Sequence, residues 1–272
     1  MDALALKLVL TPLLIGAASL AGRRWGPWLS GWLVGFPFTS GPVVLFLALG
    51  LGTHFAAASA AGTLIGTASQ AAFCLAYGCS TAGRRLWRSV VVGSLAFAAL
   101  TLVFGRLSLP LPIASVIVFA AIVASLLLMP PSGATDAPTV QPPWWDIPAR
   151  MVIATGLVLL LTGVAPALGP HYTGLLSPFP LYGAILAVFA QRQAGAAAAI
   201  RVLRGLLTGL FGFAAFFLAL ALLLVPFGIA PALAVAIAIT LGLQTIALWA
   251  QTRRGRSLTR AGAAVDLGEG RS

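Results

Sequence analysis

The stretch "GWLVGFPFTSGPVVLFLALG", residues 31–50, would read as one uninterrupted membrane span but for "GFPFTSGP" at its middle, where two prolines and two glycines fall within eight residues. Hydrocarbon offers no water to freed backbone N–H and C=O groups, and each group left unpaired costs roughly several kcal/mol. A span broken there needs a compensating device.

Hydrophobic residues make up 60% of the 272 positions and charged residues 8%, whereas a soluble domain carries about 25% charged residues. With a mean hydropathy of +1.04, the chain is expected to be an all-α polytopic membrane protein. Its net charge of +11 comes from arginines lying between apolar runs, which reads as a topology signal rather than a nucleic-acid surface. A window of about 19 residues gives about nine spans, at 3–21, 28–50, 55–78, 89–105, 111–129, 148–165, 171–190, 198–224 and 229–250. With the N-terminus outside, Arg23, Arg24, Arg84, Arg85, Arg88, Arg150, Arg192, Arg201, Arg204 and the tail "TRRGRSLTRAG" face the cytoplasm, and only Lys7 and Arg106 fall outside. The positive-inside bias selects that orientation. Trp144 and Trp145 are expected at the headgroup level.

Sliding the chain against itself gives a register of 143 residues, ungapped over about seventy positions. Gly26-Pro27 falls on Gly169-Pro170, Gly31 on Gly174, Phe36-Pro37 on Phe179-Pro180, Phe46 on Phe189, Gly62 on Gly205 and Gly66 on Gly209. The first helix, which resembles a signal peptide, has an internal counterpart at 148–165 and so reads as a retained span. The expected organisation is a first unit at 1–129 with five spans, a cytoplasmic linker at 130–147, a second unit at 148–250 with four spans, and a basic, disordered cytoplasmic tail at 251–272. Five is odd, so the second unit enters from the opposite face. Inverted-topology repeats of this kind are common among secondary transporters.

The opening stretch thereby gains a partner, because "SPFPLYG" at 177–183 interrupts the seventh span at matching depth. Paired broken helices point to a binding site near the bilayer midplane. Ser40 and Ser177 are each expected to cap a half-helix, whose free N–H donors and partial positive charge suit an anionic or polar group. The candidate substrate-binding residues are Phe36, Thr39, Ser40 and Gly41 on the first break and Ser177, Phe179, Tyr182 and Gly183 on the second. Arg201 and Arg204, one turn apart, stand at the cytoplasmic mouth.

"HYTGLLSPFPLYGAILAVFAQRQAG" and the glycine-bearing span after it resemble the GlpM-type family of small four-span bacterial membrane proteins, through Tyr172, Gly174, Leu175, Pro178, Phe179, Pro180 and Arg204. The first unit keeps Gly31, Leu33, Phe36 and Pro37 but has Leu29 for the tyrosine and only alanines for the basic residue. The chain thus resembles a fused, diverged antiparallel pair of such units. The resemblance implies a bacterial cytoplasmic (inner) membrane and a link to envelope or exopolysaccharide physiology, in a family without a settled biochemical activity.

Asp2, Asp136, Asp146, Asp266 and Glu269 all lie at the termini or in the linker, which disfavours a carboxylate proton relay within the membrane. Lys7 and Arg150 sit near span ends and are explained by snorkelling. Cys74 and Cys79 read as small core residues. His54 and His171 read as isolated loop histidines, and Gly62-x-x-x-Gly66 and Gly205-x-x-x-Gly209 as close-packing faces. Gln70, Gln244, Thr39 and Tyr182 either line a cavity or bond a neighbouring helix. No enzyme motif appears, and no catalytic residue, metal ligand, cofactor or nucleic-acid partner is expected. The bilayer and a small ligand or lipid are the expected partners, and oligomerisation is open. Two functions remain: a secondary carrier or flippase-like transporter for an anionic or polar, or lipid-linked, metabolite; and a non-transporting scaffold subunit for envelope or exopolysaccharide assembly. A polar cavity reaching the breaks favours the first, and breaks packed dry against each other favour the second.

Overall fold

A helix surrounded by other helices needs small side chains, and "THFAAASAAGTLIGTASQAAFCLAYGCS" supplies them. In the computed structural model, which describes residues 8–14, 16–17, 20, 36–81, 86–131 and 145–246, this segment is a single 28-residue helix. The described elements are α1 (Ser40–Leu51), α2 (Thr53–Ser80), α3 (Leu86–Gly105), α4 (Leu111–Leu128), α5 (Asp146–Leu176), α6 (Leu181–Phe227) and α7 (Ile229–Ile246). All are helical, and α2 touches each of α1, α3, α4, α5 and α6. It is the hub of the fold.

Five helices, α3 to α7, are long and apolar enough to cross a membrane. The alanines, glycines and hydroxyls of α2 make it less apolar than these five, because they serve close packing rather than contact with lipid. The expected spans at 89–105 and 111–129 are two separate helices, joined by a turn in which the N–H groups of Arg106 and Leu107 donate to Val103 and Phe104. Much of the expected first span, the residues 28–35 of the second, most of the linker and the tail lie outside the described residues.

Length forces further breaks. A straight helix of 47 residues, the extent of α6, would measure about 70 Å, more than twice the ~30 Å hydrocarbon core. Gly195 divides it, with φ 80° and ψ −173°, and Gly169 divides α5 with φ 75° and ψ 167°. Gly52 and Gly228, at the α1–α2 and α6–α7 junctions, adopt the same backbone region with φ 88° and 79°. That region is essentially confined to glycine. At none of the four would a Cβ meet any atom within 4 Å, so conformation and not space requires glycine there.

The 143-residue spacing reappears in this backbone. It separates Gly52 from Gly195, the start of α3 at Leu86 from the start of α7 at Ile229, and the hydrogen bond from Gly41 N–H to Pro37 O (2.8 Å) from that of Ala184 N–H to Pro180 O (2.7 Å).

Candidate functional site

The two breaks meet. The Ser40 hydroxyl, at the first turn of α1, donates to the backbone carbonyl of Ser177 at 3.0 Å, and both residues are buried. Each break also pairs part of its own backbone. Pro37, Pro42, Pro178 and Pro180 carry no N–H, and five of the N–H groups that remain donate locally. Phe38 bonds Phe36, Gly41 bonds Pro37, and Val43 bonds Thr39. In the second break Ser177 bonds Thr173 and Gly174, and Phe179 bonds Leu176.

This geometry corrects three expectations. Ser40 is not a cap: the residue before α1 is Thr39, which makes no side-chain cap bond, and the Ser40 side chain crosses to the other break instead. Ser177 ends the half-helix of α5 rather than starting α6, which follows Pro180. The Gly41 N–H is no free donor, because one helical turn back it finds Pro37 O.

The other candidates make contacts of their own. The Phe36 ring stacks on Phe38 at 5.4 Å, and the Phe179 ring stands edge-on to Phe97 at 5.1 Å. Gly183 is buried against the Leu206 side chain. The Tyr182 side chain lies outside the described residues. Arg204, expected at an open mouth, instead donates through Nη2 to the carbonyls of Met129 (2.6 Å) and Pro130 (3.2 Å), closing the C-terminal end of α4. A cation at that end complements the helix dipole. Arg201 is half-buried one turn before it.

His171 is not in a loop. It lies in the half-helix of α5, with Nε2 3.2 Å from Phe104 O, while Tyr172 donates to Gly105 O at 3.0 Å. Cys74 is buried as expected, but Cys79 is exposed. Trp145 is exposed, its ring 5.4 Å from that of Phe189. The two small-residue motifs also part company. A Cβ on Gly62 or Gly66 would strike the backbone of His171 or Leu175, whereas one on Gly205 would meet nothing within 4 Å.

Of the polar face of α2 that continues this contact, sequence reasoning singled out only Gln70. Thr63 and Thr67 satisfy their hydroxyls on the carbonyls four residues back. Ser69 Oγ and Gln70 Oε1 have no partner although both residues are buried, and the same holds for Ser177 Oγ. The signal was present, since Ser69 and Gln70 follow Gly66 at the three- and four-residue spacings that share a helix face. A second missed contact joins two buried side chains, Tyr77 donating to Gln191 Oε1 at 2.9 Å.

Beside the second break an apolar groove of about 300 Å³ runs between α3 and α6, from Val90 and Ser94 to Phe179, Ala184, Ile185 and Val188. A larger groove, about 600 Å³, follows the outer side of α4 past Val116, Phe119, Val123 and Leu127. Among the described residues no cluster of three or more His, Cys, Asp or Glu side chains forms a metal centre. No protein-family model, curated protein or solved structure matches the chain.

Proposed function

We propose that the chain is a secondary carrier or flippase-like transporter for an anionic or polar metabolite attached to an apolar chain. It would lie in a bacterial inner membrane with the N-terminus outside, nine spans and two units of opposite topology. The observation that carries this reading is the pair of broken helices, alike in backbone at the 143-residue spacing and in direct contact through Ser40 and Ser177. Transporter sites are commonly built from such pairs, with half-helix N-termini facing anionic groups. In this reading the first turn of α6, Leu181 to Gly183, receives the polar group, and the groove beside Phe179 takes the apolar chain. Buried oxygens without partners support it further, because a purely structural contact in a membrane has no reason to carry their desolvation cost.

A second reading, the non-transporting scaffold, is favoured by one observation. The breaks pair part of their own backbone and touch, and the groove beside them is apolar.

Reconstitution separates the two. In liposomes carrying fluorescent phosphatidylglycerol, dithionite bleaching reports lipid crossing the bilayer. The carrier reading expects crossing with the wild type and its loss when Ser40, Gly41 and Pro42 are all replaced by alanine, which heals the first break into continuous helix. Bleaching arrested at the outer leaflet with the wild type would move the assignment to the scaffold.

A further inference from the structure

We propose that the second break holds a monovalent alkali cation, bound between α2 and the C-terminal end of the α5 half-helix by the neutral oxygens of Ser69, Gln70 and Ser177 together with backbone carbonyls.

The two helices run side by side there. Gly62 abuts His171 O and Gly174, and one turn later Gly66 abuts Leu175 O and the Pro178 ring. Ser69 and Gln70 are the next residues on that face of α2, which brings them to the level of the break. Ser69 is 0% exposed, Ser177 1% and Gln70 8%, and Ser69 Oγ, Ser177 Oγ and Gln70 Oε1 are without hydrogen-bond partners. Buried oxygens of this kind ask for a partner, and these three lie on the two segments that pack together here.

The sign of that species follows from what surrounds it. From Ser177 to Pro180 no backbone N–H is left to offer, because two residues are prolines and the other two N–H groups are already bonded. Acceptors are plentiful, since each carbonyl keeps a second lone pair, and the end of a helix carries partial negative charge. The two serine hydroxyls can donate as well as accept, but the Gln70 oxygen and the carbonyls only accept, so a cation finds more partners here than an anion does. Divalent calcium and magnesium are usually held through carboxylates, and transition metals prefer imidazole and thiolate. A set of hydroxyl, amide and carbonyl oxygens without formal charge fits sodium or potassium. In transporters, half-helix C-termini and unwound carbonyls commonly take this role.

The test uses the purified full-length protein in detergent, with melting followed in sodium, potassium and choline chloride at equal ionic strength, and with retention of radioactive sodium and rubidium measured directly. A site of this kind raises the melting temperature with the logarithm of its cation, while choline, too large to enter, gives none. Gln70→Leu and Ser177→Ala should each weaken binding by about tenfold, the equivalent of ~1.4 kcal/mol. Gln70→Glu keeps the side-chain volume and adds a charge, so it should tighten binding above the carboxyl pKa. Gln244→Leu, which removes a buried unpartnered amide on α7, should leave binding unchanged. Identical melting in the three salts with no retained isotope, as for a site filled by water alone, would overturn the proposal, as would a Gln70→Glu protein that binds like wild type. Because no transport is measured, failure here leaves the carrier reading in place; a bound cation without lipid movement would remove that reading and keep the site.

Discussion

The two breaks share a frame and differ in chemistry. Both follow a Phe-Pro pair, and both re-enter helix with a hydrogen bond to the proline carbonyl four residues back, at 2.8 and 2.7 Å. Beyond that they diverge. The first break sends a donor outward, the Ser40 hydroxyl, while the second receives it on a carbonyl and retains a hydroxyl without a partner. The register explains the asymmetry, because Ser40 corresponds to Gly183 and Ser177 to Val34. Within the breaks the Phe-Pro pair and the hydrogen bond after it keep the register, whereas the glycines and other prolines around them do not, since Gly35 falls on Pro178 and Gly41 on Ala184. The glycines also divide. Gly62, Gly66 and Gly174 are required for close approach, and Gly52, Gly169, Gly195 and Gly228 for positive φ.

The largest expected effect tests the close-approach class. A Cβ on Gly174 would be driven onto the Ser59 carbonyl and the Thr63 N–H, so Gly174→Val should cost about 3 kcal/mol or more, read as loss of folded protein in a detergent melt. Gly205→Ala, with open space around it, should instead gain up to about 1 kcal/mol from helix propensity. Equal losses at the two would erase the distinction between the glycine classes.

The junction glycines come next. Gly52→Ala and Gly195→Ala each force a side chain into a glycine-only region and should cost about 1–3 kcal/mol each, by similar amounts if the junctions are equivalent. A tolerant Gly52 beside an intolerant Gly195 would mean that only one junction is held in place by its surroundings. Smaller again, Ser40→Ala removes the bond between the breaks and should cost about 1 kcal/mol. Ser177→Ala removes a hydroxyl that bonds nothing in the protein, and melted in choline chloride it should change stability by less than about 0.5 kcal/mol. Arg106→Ala, in an exposed turn, should also fall within about 0.5 kcal/mol.

What the sequence disclosed is the part written in proline, glycine and hydropathy. The α3–α4 pair, the break at 177–180 and the spacing of 143 were readable because backbone geometry follows directly from these residues. The direction of Ser40 was not readable, since a serine at the start of a helix caps its own turn as readily as it crosses to another chain segment. Nor was the partner of Arg204, because its target carbonyls on Met129 and Pro130 are about 75 residues away and only tertiary packing brings them near. Helix α2 is a third case. Its small residues lower its apolar character, and only the assembled bundle shows why a central helix is built from them.

Accessibility at the two junctions tests the inverted arrangement most directly. In a background lacking Cys74 and Cys79, single cysteines replace His54, exposed next to the Gly52 junction, and Gln193, exposed next to Gly195. A membrane-impermeant maleimide applied to intact spheroplasts should label the cysteine at 54 and reach the one at 193 only after the membrane is opened. Labelling of both from the same face would contradict two units of opposite topology.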